Sequence, residues 1–217
     1  GLARFWAYAR QEERSAISDT EVAAYSTLMD QSQTLVRQDV LALFSLAGVR
    51  QMMDVGGGEG GFCLAAAERY PQLHGWCVDL PAVARRAQAR FEAQGLSHRL
   101  SAKPCDFKAQ DLPAGADLVT LVRVLHDHDD APALDLLRSI RRSLAPKGRL
   151  LIAEPMSGAP GAEPMGDAYF GFYLLAMGSG RPRLASEISQ MLTAAGFTSI
   201  RRIKTPRPLL VSLIEAS

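Results

Sequence analysis

The stretch Asp54-Val55-Gly56-Gly57-Gly58-Glu59-Gly60-Gly61 is the part of this sequence best suited to hold a ligand against the main chain. Glycines belong where the backbone turns tightly and a bound group must touch it, because a Cβ would collide. The plainer reading, a glycine-rich turn with no ligand, gives no reason for a strand before it and a helix after it. Two ligand templates fit. Gly56, Gly58 and Gly61 match the G-x-G-x-x-G of dinucleotide sites. Gly56, Gly58 and Gly60 match the G-x-G-x-G of S-adenosylmethionine sites. Charge separates the two. A dinucleotide rests its pyrophosphate on a helix N-terminus, where free amides and the positive dipole end meet it. Here Glu59 occupies that turn and Asp54 precedes it. Two carboxylates repel a pyrophosphate but suit a sulfonium ligand with an ammonium group.

Further acids follow at strand-helix spacing. Asp79 closes the next apolar run and can accept both hydroxyls of a ribose, which serves either nucleoside. Asp106 follows a third run, placed to accept an adenine amino group, with Phe107 beside it to pack on the base. His126 comes directly after the apolar run 118–125. An imidazole with an ordinary pKa of about 6.5 is largely neutral at cellular pH and can take a proton. The plainer reading of His126-Asp127-His128-Asp129 is a polar turn that caps a helix. A metal site is disfavoured, since the two histidines share one turn and no further ligands converge on them. Glu154 ends the next apolar run, where it could orient the His126 ring and stabilise the imidazolium.

These groups need a frame that brings strand ends together. Residues 52–55, 74–80, 99–105, 118–125 and 149–153 read as strands, and 62–70, 83–94 and 131–144 as helices. Such alternation predicts an α/β fold, a doubly wound and mostly parallel sheet whose ligand crevice lies at the carboxyl ends of the strands. The last two runs, 197–205 and 209–214, are separated only by Pro206-Arg207-Pro208. So short a link cannot make a parallel crossover, which predicts an antiparallel terminal strand. Residues 1–50 read as a helical segment: Ser18 and Glu21 have capping-box spacing, and Val22, Tyr25, Leu28 and Met29 follow at helical spacing. The remainder, 51–217, reads as one catalytic domain. Residues 165–177 are apolar almost all round, which fits a buried or interface helix and also a greasy wall for a large apolar acceptor.

Composition bounds the rest. The 217 residues give one sizeable core, and 24 Lys+Arg against 23 Asp+Glu leave a net charge of +1. That balance gives no electrostatic footprint for nucleic acid. Cys63, Cys77 and Cys105 lie in no CxxC pair and read as buried thiols in a reducing compartment. No basic-then-apolar leader opens the chain, so secretion is not expected. The chain starts on Gly1 inside a helical pattern, which leads to the expectation of a fragment.

The glycine string, Val78-Asp79-Leu80-Pro81, Leu125-His126-Asp127 and Ala153-Glu154-Pro155 together resemble the plant-type small-molecule O-methyltransferase family. Residues 122–130 and 153–183, with Gly161-Ala162-Glu163-Pro164 and Asp167-Ala168-Tyr169-Phe170, are similar to its bacterial carotenoid branch. The resemblance implies an S-adenosylmethionine-dependent enzyme in the class I fold, with Gly56, Asp79, Asp106 and Phe107 holding that cofactor. It implies His126 as proton acceptor, Glu154 as its partner, and no metal. The implied acceptor is the tertiary hydroxyl of an acyclic hydroxycarotenoid, the alternatives being a small aromatic or a bacteriochlorophyll. A nicotinamide-dependent oxidoreductase and an inactive paralogue share some of these motifs. Family members carry an N-terminal dimerisation domain, so the whole protein is expected to be a homodimer. The expected location is cytoplasmic, in transient contact with the photosynthetic membrane. Two departures stand out. The family lysine four residues before the histidine is Val122 here, with Arg123 next to it, and a second flanking glutamate is missing near Arg181-Pro182-Arg183.

Overall fold

The structure, a computed structural model, describes residues 33–162 and 165–217. The Ser18–Glu21 capping box and the helical repeat that follows it lie outside the described residues. Seven strands form one sheet: β1 (Gln51–Val55), β2 (His74–Asp79), β3 (Leu100–Pro104), β4 (Ala116–Val122), β5 (Leu144–Glu154), β6 (Ile200–Ile203) and β7 (Ser212–Ala216). Their spatial order is β3-β2-β1-β4-β5-β7-β6. The first five strands are parallel, while β7 runs antiparallel to both β5 and β6, as the short proline-bearing link predicts. The helices are α1 (Thr34–Leu43), α2 (Gly61–Arg69), α3 (Pro81–Ala93), α4 (Asp130–Ser143), α5 (Met165–Met177) and α6 (Ala185–Ala194).

A parallel strand covered on both faces must be apolar on both. β4 obeys this rule: Leu118, Val119 and Leu121 are fully buried. Alternate residues feed two cores. Met53, Val55, Val119 and Leu121 join one layer with Leu136, Leu137 and Ile140 of α4. Met52, Leu118 and Val122 join the other, where Val36, Val40 and Leu41 of α1 pack with Phe62 of α2 and Phe91 of α3. Each such side chain contributes about 1.5–3 kcal/mol relative to exposure. An ion pair from Arg207 Nε to Asp39 Oδ2 (2.8 Å) ties α1 to the link between β6 and β7.

Three differences from the sequence reading matter for the site. The fourth strand ends at Val122, not at residue 125, because Arg123 turns into the left-handed region (φ 57°). A 3-10 turn over Leu125–Asp127 then re-aims the chain. Helix α6 has no counterpart in that reading, since its Ser, Glu and Thr residues interrupt the apolar pattern. The terminal strands are shorter than read, because the residues around Pro206 and Pro208 form the turn.

Candidate active site

The sheet order reverses between β1 and β4, the topological switch point of this fold. A cleft opens there. Asp54 and Gly56 line it from the end of β1, Asp79 from β2, Asp106 and Phe107 from beyond β3, and His126 from beyond β4. The structure thus brings together the proposed cofactor residues and the proposed base.

The loop after β1 turns on its glycines. Gly56, Gly58 and Gly60 adopt φ of 68°, 58° and 74°, a region open to glycine at little cost, whereas Gly61 is the first residue of α2. The three left-handed positions thus fall at the G-x-G-x-G spacing. Asp79 locks this loop: its Oδ2 accepts the Gly58 N–H (2.8 Å) and its Oδ1 the Leu80 N–H (2.7 Å). Each oxygen keeps further lone-pair capacity toward the cleft. Strand register sets Thr120 beside Asp54, and Thr120 Oγ1 donates to Asp54 Oδ1 at 2.6 Å. Burial pushes the Asp54 carboxyl up to about 7 and that of Asp79 to about 6. Glu59 points to α3, where Arg86 Nη2 pairs with it at 2.6 Å. With Glu59 paired to Arg86, the acids at the strand ends that line the cleft are Asp54 and Asp79. Past β3, Asp106 Oδ1 accepts the Lys108 N–H (3.0 Å), and the Phe107 ring meets His128 edge-on at 5.4 Å.

The His126 turn is held on two sides. Beneath it, Glu154 Oε1 accepts the backbone N–H groups of Val124 (2.9 Å) and Leu125 (2.7 Å). That leaves Oε2 at 3.7 Å from His126 Nδ1, an electrostatic contact rather than a hydrogen bond. On the other nitrogen, Nε2 lies 3.2 Å from Asp127 Oδ1. The ring therefore sits between two acids, although the second family glutamate is absent; the neighbouring Asp127 supplies the second carboxyl. Burial, aided by the Arg123, His128 and Arg183 charges, holds the imidazole pKa well below its usual range. Burial also pushes Asp127 up to about 7 and Glu154 to about 8. His126 Nδ1, Glu154 Oε2, Asp127 Oδ1 and Arg123 Nε are buried with no hydrogen-bond partner. The Arg123 guanidinium lies 5.5 Å over the Phe170 ring, and that ring is 6.0 Å from the imidazole. Helix α5 presents two different faces. Tyr173 and Met177 line the cleft, while Tyr169, Phe172 and Leu175 are exposed.

On the outer side, residues 179–183 strap the turn. Arg183 is buried, and it donates from Nη1 to Leu125 O (3.0 Å) and from Nη2 to His128 O (2.6 Å), with Asp130 paired to the same guanidinium. Arg181 N–H donates to His126 O (3.0 Å). Sequence reading saw in this stretch only a missing glutamate. The partners of Arg183 lie more than fifty positions upstream, so no local pattern announces them. Gly180 packs so closely that a Cβ there would lie 2.1 Å from His126 O, and its φ is 79°. Gly180→Ala is therefore expected to displace the turn. A shift of about 1 Å costs on the order of 10² in rate, so kcat should fall by about that factor while cofactor affinity measured by calorimetry holds.

Residues 6–198 match the O-methyltransferase domain. The chain belongs to the O-methyltransferase domain family. This O-methyltransferase domain is 43% identical to the demethylspheroidene O-methyltransferase of Cereibacter sphaeroides, over 99% of this chain and 56% of that protein. It is 42% identical to the Rhodobacter capsulatus enzyme of the same name, over 99% of this chain and 53% of that protein. The chain spans about half the length of these curated relatives. The crystal structure of human N-acetylserotonin methyltransferase in complex with SAM superposes with a TM-score of 0.83 at 25% identity, covering 99% of this chain and 64% of that one.

The buried acids of this O-methyltransferase domain couple its stability to pH. Asp54 and Glu154 titrate higher in the fold than in the unfolded chain, so their contribution is complete below about pH 4 and is lost as pH rises through about 7 and 8. His126 has the opposite sign; its contribution is present above its unfolded pKa of about 6.5 and fades as pH falls below it. Between pH 7 and 9 the acids dominate. Unfolding free energy should drop by on the order of 2 kcal/mol, read as a lower melting temperature by several degrees. Glu154→Gln should remove the larger part of that slope.

Proposed function

We propose that this chain is the catalytic part of an S-adenosylmethionine-dependent O-methyltransferase whose acceptor is the tertiary hydroxyl of an acyclic hydroxycarotenoid. The observation that carries the reaction is the cluster of buried polar atoms without partners around His126. Such groups are rare in a folded protein and call for a ligand group that satisfies them. Arg123 and Asp127 line the cleft, where an acceptor hydroxyl can meet them beside the imidazole, while Nδ1 and Glu154 Oε2 face each other behind the ring. The other half of the cleft fits the cofactor: Asp79 retains acceptor capacity for a ribose diol, Phe107 offers a face for a base, and the buried Asp54 carboxyl suits an ammonium.

When bound, S-adenosylmethionine supplies an electrophilic methyl group on a sulfonium that leaves as a neutral thioether. The chain does the rest. Its depressed pKa keeps His126 neutral and ready to accept a proton at physiological pH. A tertiary alcohol is too weak an acid to ionise beforehand, so proton removal by His126 must accompany C–O bond formation. Glu154 holds the turn through Oε1 and faces the developing imidazolium through Oε2. Phe170, Tyr173 and Met177 give an apolar wall on the acceptor side. The acceptor class is supported by the 42–43% identity to demethylspheroidene O-methyltransferases.

The assembly belongs to the same proposal. Residues 1–50 lead from an N-terminal dimerisation domain in a homodimer, and the protein works on the cytoplasmic side, touching the photosynthetic membrane where a carotenoid dissolves. No helix among the described residues is long and apolar enough to cross a membrane. The exposed Tyr169, Phe172 and Leu175 are compatible with surface contact. Incubation with methyl-labelled S-adenosylmethionine and a tertiary-hydroxylated acyclic carotenoid in detergent should yield a labelled methyl ether. Label on a phenol or a bacteriochlorophyll precursor instead would replace the acceptor, and spectral change with NADPH alone would replace the chemistry.

A further inference from the structure

We infer that Arg37, with Gln33 one helical turn before it, binds the carboxylate of the cofactor's amino-acid tail; this rests on the S-adenosylmethionine reading above. No motif in the sequence points to either residue. Both line the cleft from the start of α1, beside Asp54 and the glycine loop. They are four positions apart, and Arg37 N–H donates to Gln33 O at 2.9 Å, so they share one face of the helix.

The order of groups along the strand ends fixes where the tail must lie. Base-packing Phe107 stands beyond β3, the ribose acceptor Asp79 ends β2, and His126 follows β4. A nucleoside laid from β3 to β1 with its sulphur turned toward His126 leaves its tail over the end of β1. That tail is a zwitterion. Asp54 offers a carboxyl for the ammonium there, and the carboxylate needs a cation next to it. Three cationic side chains among the described residues line the cleft: Arg37, Lys108 and Arg123. Lys108 follows Phe107 at the base end. Arg123 stacks on Phe170, and its charge acts on His126, Asp127 and Glu154 at the acceptor end. The charge of Arg37 acts on Asp54. Arg37 therefore stands where a second, opposite charge completes the site for a zwitterion, and its planar fork can grip a carboxylate through two parallel hydrogen bonds.

The test compares S-adenosylhomocysteine with 5′-methylthioadenosine, a thioether nucleoside that lacks the amino-acid end, by titration calorimetry on the chain. Wild type should bind S-adenosylhomocysteine the tighter of the two. Arg37→Met should weaken S-adenosylhomocysteine by about 10- to 100-fold and leave methylthioadenosine unchanged, the latter also reporting that the variant is folded. Arg37→Lys should recover part of the loss. Equal weakening of both ligands, or no weakening of either, overturns the assignment. A wild type that binds both ligands equally well removes tail recognition but keeps the nucleoside site. A wild type that binds neither removes the cofactor reading itself.

Discussion

His126→Ala is expected to lower kcat by at least ~10², and by as much as ~10⁴, with cofactor affinity unchanged. The ring is buried between Glu154 and Asp127, and it is neutral because burial, aided by the neighbouring Arg123, His128 and Arg183, disfavours its charged form. It touches none of the groups that hold the nucleoside side of the cleft, where Asp79 fixes the glycine loop. Loss of the imidazole thus removes the proton acceptor without disturbing the cofactor. Glu154→Gln separates the two roles of the acid. Its amide oxygen can still accept the Val124 and Leu125 N–H groups, so the turn stays in place, but the titratable carboxyl that faces Nδ1 and can ionise as an imidazolium forms is gone. A smaller fall in kcat than for His126→Ala should follow. Rates for His126→Ala equal to wild type, measured as label transfer at saturating cofactor, would falsify the assignment of the base.

Asp79→Ala should weaken S-adenosylhomocysteine by about 10² or more. Hydrogen bonds to a charged group are worth about 1.5–3 kcal/mol each, and a ribose diol offers two. The loss has a second source. Asp79 also accepts the Gly58 and Leu80 N–H groups, so its removal frees the loop that must approach the ligand. Asp79→Asn keeps one carbonyl oxygen for those backbone donors and should lie between wild type and alanine. Calorimetry that finds the same dissociation constant for all three proteins would take Asp79 out of the site. Neither variant needs to lose its fold: burial already raises the Asp79 pKa to about 6, so removing this carboxyl relieves a desolvation cost.

Much of the frame was legible because hydrophobic period and turn chemistry are local. A short, largely apolar run such as 118–122 reads as a strand covered on both faces, and a glycine string between a strand and a helix reads as a close backbone approach. The proline-bearing link between the last strands excluded a parallel return for the same local reason. These features placed Asp54, Gly56, Gly58, Asp79, Asp106, Phe107, His126 and Glu154 at strand ends, and the cleft is lined by all of them but Glu154. Glu154 sits behind His126 instead and reaches it from beneath the turn.

What the amino-acid order determined by itself was the set of strand ends and the kinds of side chain they carry. Tertiary structure decided which of those side chains meet. The left-handed turn at Arg123, the strap of Gly180 and Arg183 around the histidine turn, and the entry of Arg37 from a preceding helix all join residues tens of positions apart. Periodicity reports the direction of a side chain relative to its own element, whereas contact and desolvation depend on how separate elements pack. For that reason the neutral histidine and the raised carboxyl pKa values around it exist only once the sheet, α5 and the 179–183 strap have closed over them.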